Sequence, residues 1–170
     1  MVITPKLITA ILAQYQLDPD EAHGLSHWAR VLENGLNLAE VTGADQAVIS
    51  LFAVFHDACR INENKDPEHG ARGAELAYQL RGKAYSCSDA QMDLLVRACA
   101  GHTNSPPGEK DLTVLTCFDS DRLDLPRIGK TVDPNRLCTE AARLPEIIKW
   151  ATEKAVTGSR TEVFVEWCEL

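Results

Sequence analysis

No apolar stretch in the 170 residues approaches the length of a membrane span, so a transmembrane helix is not expected. No run alternates polar and apolar residues well enough to indicate a sheet. No internal repeat or long low-complexity stretch occurs. The six cysteines, at 59, 87, 99, 117, 138 and 168, form no CxxC pair. Cys59, Cys99 and Cys117 lie inside apolar segments, where cysteine behaves as a small hydrophobe. Reduced thiols and a cytoplasmic location are expected in preference to a disulfide framework. Clustered basic charge is also missing. Seventeen Lys and Arg stand against 25 Asp and Glu, a formal charge of −8. Gripping a nucleic-acid backbone needs clustered cations, so that class of partner is not expected. A phosphorylated small molecule remains open, because a metal ion inverts the local sign.

Helical periodicity fills the chain instead. Its length fits one domain spanning residues 1–170, with the informative motifs in 20–130 and a helical extension over 131–170. Pro5 can open a first helix reaching about Gln16. Its apolar run Leu7–Ala13 has one lysine before it and no small-residue cleavage site after it, which fits an amphipathic helix better than a signal peptide. A second helix is expected from about Ala22 to Val41, stopped by Gly43. A third, from about Asp45 to Cys59, is apolar nearly all round and reads as the central buried helix. Pro67 starts a fourth that ends near Gly82. Asp89–His102 and about Leu112–Leu123 form the fifth and sixth. The last long helix covers about Thr139–Val156, and the ending VFVEWCEL fits helix or strand. The expected fold is all-α, a single-domain helical bundle of about six to eight helices.

Chemistry concentrates at a few points. After ten mostly apolar residues the third helix sets His56 beside Asp57. A buried carboxylate needs a partner. A metal ion would satisfy both side chains, and a hydrogen-bonded His–Asp pair or a helix end reaching solvent would do so too. His23 and His27 are spaced i, i+4, which fits a metal pair or a capped surface pair equally. In TVLTCFDSDRLDL, Asp119, Asp121 and Asp124 crowd three carboxylates into six residues. Such crowding calls for a cation, supplied by Arg122 or by a metal. For Asp119 and Asp124 individually an ordinary solvated face is the expectation. His69 and His102 lie on inward-looking stripes, where a histidine is commonly a satisfied core residue. Gly70 and Gly73 would let neighbouring helices approach the His69 turn.

His27, then His56-Asp57, then Asp121 in DSDRLD resembles the H…HD…D signature of the HD-domain superfamily of metal-dependent phosphohydrolases. HGLSHWARV is similar to that family's first-histidine helix, FAVFHDACR to its HD helix and CFDSDRLDL to its final-aspartate helix. The resemblance implies that His27, His56, Asp57 and Asp121 bind a metal. It also implies that Arg60, four residues after the HD histidine, contacts a substrate phosphate, and that Arg122 can do the same. EHGARGAEL followed by GHT resembles the branch with two further histidines, which would make His69 and His102 ligands of a second ion. His23 would be a partner behind the ligands or a substrate contact. A mixed His and carboxylate set suits Mn²⁺, Fe²⁺, Ni²⁺, Co²⁺ or Zn²⁺, one or two ions per chain. The implied function is hydrolysis of a nucleotide or other small phosphate ester by metal-activated water, with Asp57, Arg60 and Arg122 in catalytic roles. A di-iron oxygenase and a catalytically silent nucleotide-binding module are the alternatives.

Overall fold

The computed structural model describes residues 2–158 and 161–169. Among them eight α-helices form, with two short 3-10 turns and no strand; one isolated bridge joins Arg81 to Tyr85. The all-α expectation holds. None of these helices is long and apolar enough to cross a membrane.

Caps set the boundaries. Helix α1 (Pro5–Leu12) starts where the Thr4 hydroxyl accepts from the Leu7 amide. It ends four residues before the expected Gln16. Helix α2 (Leu25–Thr42) starts three residues later than expected, because Gly24 is extended, and stops at Gly43 in the left-handed region. Helix α3 (Gln46–Phe55) is capped by the Asp45 carboxylate, which accepts from the amides of Ala47 and Val48. Helix α4 (His69–Leu80) follows a loop, and a Ser88–Gln91 capping box opens α5 (Asp89–Gly101). Asp111 caps α6 (Leu112–Arg122). The 3-10 turns Leu125–Ile128 and Pro134–Arg136 lead to α7 (Pro145–Thr157) and α8 (Glu162–Cys168). Helix α7 starts six residues later than expected. Leu144 precedes a proline and is extended, so the helix cannot run back through it to Thr139. The ambiguous C-terminal segment is helical.

Helix α3 is the axis of the molecule. Val48, Ile49 and every residue from Leu51 to Phe55 are buried. It packs on α2, α5 and α6, while α4 lies along α5. Truncating a buried phenylalanine such as Phe52 to alanine costs roughly 3–5 kcal/mol. A smaller apolar cluster around Leu38, Leu123, Leu137, Ala142 and Ala151 attaches the chain beyond α6 to α2.

Two glycines bring α4 in close. A Cβ on Gly73 would stand 2.2 Å from the Phe55 carbonyl oxygen, and one on Gly70 would stand 2.1 Å from that of Cys99. Both neighbours are backbone, so no side chain at either position can be accommodated by a rotamer change. The two contacts fall at the ends of α3 and α5, where His56 and His102 stand.

Candidate metal centre

The cluster is assembled from helix ends. The α3 helix stops at Phe55, and His56 turns its Nδ1 back on the carbonyls of Phe52 (3.1 Å) and Ala53 (3.2 Å). Its ring stacks on Phe52 at 4.8 Å. His102 ends α5 in the same manner, Nδ1 2.7 Å from the Cys99 carbonyl oxygen. His69 opens α4 with Nδ1 on the Asp66 carbonyl. His27, in the first turn of α2, has its Nδ1 2.7 Å from Asp124 Oδ2. In each ring Nδ1 faces an acceptor. In the neutral imidazole the single proton therefore sits there and Nε2 keeps a lone pair; without metal His69, despite its burial, also takes up a second proton more readily, because its Nε2 faces Asp57.

Those lone pairs meet each other. His27 Nε2 and His56 Nε2 are 3.0 Å apart, and His69 Nε2 and His102 Nε2 are 2.9 Å apart. Two lone pairs at that distance repel unless a cation lies between them. Ligand nitrogens about 2.1 Å from one ion and at right angles to each other would be about 3.0 Å apart. The donor set therefore fits a divalent metal, and the fit occurs twice.

Asp57 lies between the two pairs. Its Oδ2 is 3.6 Å from both His27 Nε2 and His56 Nε2. Its Oδ1 is 3.1 Å from His69 Nε2 and 3.8 Å from His102 Nε2. One ligand atom each from His27, His56 and Asp57 lie within 4.8 Å of one another, as do those from Asp57, His69 and His102. Asp121 joins the first group, its Oδ1 3.5 Å from His27 Nε2 and 3.9 Å from His56 Nε2. The geometry thus brings together all six residues expected to hold metal.

Protonation states suit this role. Burial pushes the His56 imidazole down to about 3, and burial also lowers His102. Both are therefore neutral and able to ligate at neutral pH. Burial works against the Asp57 carboxylate, but the facing imidazoles of His56, His27 and His69 outweigh it and hold the group well below its usual range. Asp121 is held down in the same way by His56, His102 and His27.

The remaining expected residues take more varied positions. His23 lies ahead of α2, so it does not share a helical face with His27. Its Nδ1 meets Glu63, and burial lowers its pKa. Arg60 is in the turn after α3, donating to the carbonyls of Asn62 (3.3 Å) and Asn64 (2.7 Å). Its Nη1 stands 3.4 Å from Asp57 Oδ1 and 3.3 Å from His69 Nε2, so this arginine touches the ligand group itself. Arg122 donates to the Arg136 carbonyl at 2.8 Å and to Ser105, and lies 4.0 Å from Asp119.

The solvated-face expectation for Asp119 and Asp124 is corrected: both are fully buried. Asp119 accepts from the amides of Cys138 (2.7 Å) and Thr139 (2.8 Å) and from the Thr139 hydroxyl, clamping the following chain to α6. Asp124 receives two hydrogen bonds from Arg30, at 2.7 and 3.1 Å, as well as the His27 ring. It is the functional residue that sequence reasoning missed. Crowding of carboxylates was the only signal, and it did not separate Asp124 from Asp119.

A cavity of about 650 Å³ opens onto Asp57, Asp121, His69 and His102, while His27 and His56 lie behind it. Its wall carries Arg60, Lys65, Arg122, Arg127, Lys130 and Arg136, six of the 17 basic residues of an acidic chain.

No family model and no curated protein matches the sequence. A solved structure does: the 1.45 Å crystal structure of a predicted HD superfamily hydrolase from an uncultured Thermotogales bacterium. The two chains are 25% identical, with a TM-score of 0.63 over 88% of this chain and 86% of that one. The fold is similar to that of this predicted HD superfamily hydrolase, and the convergence of histidines and aspartates is consistent with an HD-type metal site.

Proposed function

We propose that the protein is a metal-dependent phosphohydrolase acting on a nucleotide or another small phosphate ester. One observation carries the reading: four imidazoles turn their Nε2 atoms towards one another in two facing pairs, with the Asp57 carboxylate between them. A divalent ion held there supplies a Lewis acid for a phosphoryl oxygen and lowers the pKa of water. The chain's own residues do the rest. Asp57 offers one oxygen to each imidazole pair and so keeps the pairs in register. Asp124 holds the His27 proton on Nδ1, which keeps Nε2 open for ligation. Arg60 and Arg122 line the cavity, and a planar guanidinium fork matches phosphate oxygens. Thiols at Cys59, Cys87, Cys99, Cys117 and Cys138 accord with a reducing, cytoplasmic compartment.

A second reading has its own observation. The Arg60 guanidinium already stands beside Asp57 Oδ1 and His69 Nε2. In that reading it serves as the second cation, and a single ion sits among His27, His56, Asp57 and Asp121.

The test is phosphate release from a panel of phosphorylated metabolites by chelator-treated protein, with and without added Mn²⁺, Co²⁺ or Ni²⁺, alongside metal counting by mass spectrometry. The expected result is release that requires added metal, and loss of both metal and turnover in Asp57→Ala. Metal-independent release, or an Asp57→Ala protein with normal metal content and activity, would sink the proposal. Saturation at two ions per chain supports the dinuclear site, and full activity at one ion supports the Arg60 reading.

A further inference from the structure

The cavity is charged unevenly. Its carboxylates outside the ligand group have basic partners, with one exception, Asp133. Glu63 pairs with His23, and Asp66 pairs with Arg72 and accepts from the Ile61 amide. Asp133 accepts from the Asn135 amide at 2.9 Å but has no cation within 4.0 Å among the described residues. The cations divide differently. Arg60, Arg122 and Arg127 are tied to carbonyls or carboxylates. Lys65, Lys130 and Arg136 are exposed at the rim, and none has a carboxylate within 4.0 Å among the described residues. Three exposed cations against the one unpaired carboxylate of Asp133 leave an excess of positive charge at the rim, in a chain of formal charge −8, and so a local field of the opposite sign to the whole.

The rim is also held in place. Lys130 and Arg136 belong to the segment between α6 and α7. Three contacts pin that segment: the Asp119 clamp on Cys138 and Thr139, the Arg122 bond to the Arg136 carbonyl, and the Arg127 bond to the Ala22 carbonyl at 2.8 Å. Lys65 comes from the loop between α3 and α4. Leu125, Ile128, Val132 and Leu137 add apolar surface to the same cavity, where an organic group can rest.

We propose that Lys65, Lys130 and Arg136 form a second anion subsite, and that the substrate is a small organic molecule with at least two phosphoryl groups. One group would lie at the His/Asp cluster and another at the rim. The proposal rests on the phosphohydrolase reading for what happens at the cluster, but the rim itself can be tested without turnover.

The binding test uses chelator-treated full-length protein, with inorganic tripolyphosphate and orthophosphate as probes in titration calorimetry. Tripolyphosphate is expected to bind at least about tenfold more tightly than orthophosphate. The exposed double variant Lys130→Ala/Arg136→Ala should remove most of that preference while keeping the wild-type melting temperature. Equal binding of the two probes, or a preference that survives in the variant, overturns the proposal. The kinetic test compares adenosine monophosphate and triphosphate in excess Mn²⁺. The variant should lower kcat/KM for the triphosphate about tenfold more than for the monophosphate. Equal losses on both, with turnover present, would refute the rim and leave the phosphohydrolase reading standing. Rim-dependent tripolyphosphate binding with no turnover of either nucleotide would count against the phosphohydrolase reading and leave the rim standing.

Discussion

The two imidazole pairs that share Asp57 rest on different supports. Behind His27 stands a carboxylate, Asp124, itself held by two hydrogen bonds from the buried Arg30. Behind His69 and His102 stand only backbone carbonyls, those of Asp66 and Cys99. The first pair has Asp121 as a further carboxylate, whereas the second has the Arg60 cation beside it. A negative charge behind an imidazole raises its basicity as a ligand, and a positive charge beside a site opposes a dication. If both sides hold metal, the His27–His56 side should therefore bind it more tightly than the His69–His102 side.

The largest effect that can break this comparison is acid sensitivity. His56 is held neutral by burial, with its pKa pushed down to about 3 from an ordinary 6.5. Between those values the unfolded chain binds a proton that the native state refuses, so stability falls as pH falls. The loss runs from about pH 6.5 down to about pH 3 and reaches roughly 5 kcal/mol. His69 behaves oppositely. Burial alone would lower it, but its hydrogen bond to Asp57 raises it, so its contribution is present below pH 6.5 and lost as pH rises through the raised value. Denaturant midpoints of metal-free protein should therefore drop steeply between pH 6.5 and 4. A flat profile there would mean that His56 is not held neutral.

Asp124→Asn sharpens the comparison next. It removes the charge behind His27 and leaves the second pair untouched. The first ion should bind about 10–100-fold more weakly, with the second little changed. Competition against a metallochromic indicator would read both steps. Equal weakening of the two would show that Asp124 supports the whole cluster and not one side of it.

Arg60→Gln carries the smallest expected effect. Without the guanidinium beside His69, the weaker ion should bind about threefold more tightly, in line with relief of a screened like-charge contact. The Michaelis constant should rise at the same time if Arg60 also meets the substrate. An unchanged second affinity would mean that the guanidinium swings clear when metal is bound.

Much of this site was legible before any coordinates, and the reason differs by residue. His56 and Asp57 stood out because a polar pair follows a mostly apolar run, a contrast that sequence displays directly but that fits a hydrogen-bonded pair as well as a metal site. Assigning metal to His56 and Asp57, and to His27 and Asp121, needed the order of the family motif. Asp119 and Asp124 were misjudged because their partners are remote: Arg30 lies 94 positions from Asp124, and the Cys138 amide lies 19 positions from Asp119. Periodicity within one helix cannot report a partner on another. Core elements followed the same rule. Helix α3 was clear from composition alone, whereas the start of α7 is set by Pro145, which keeps Leu144 extended.

The glycines of α4 bear on which ion the cluster admits. Because Gly70 meets the Cys99 carbonyl and Gly73 meets the Phe55 carbonyl, the span between His69, His102 and His56 is fixed by peptide backbone touching peptide backbone. Side chains could breathe to fit a larger or smaller ion, but main-chain contacts cannot. An alanine at either position would wedge the helices apart and widen the opening between the imidazoles. The selectivity series among Mn²⁺, Co²⁺, Ni²⁺ and Zn²⁺ would then shift toward ions of larger radius, with no ligand having been changed.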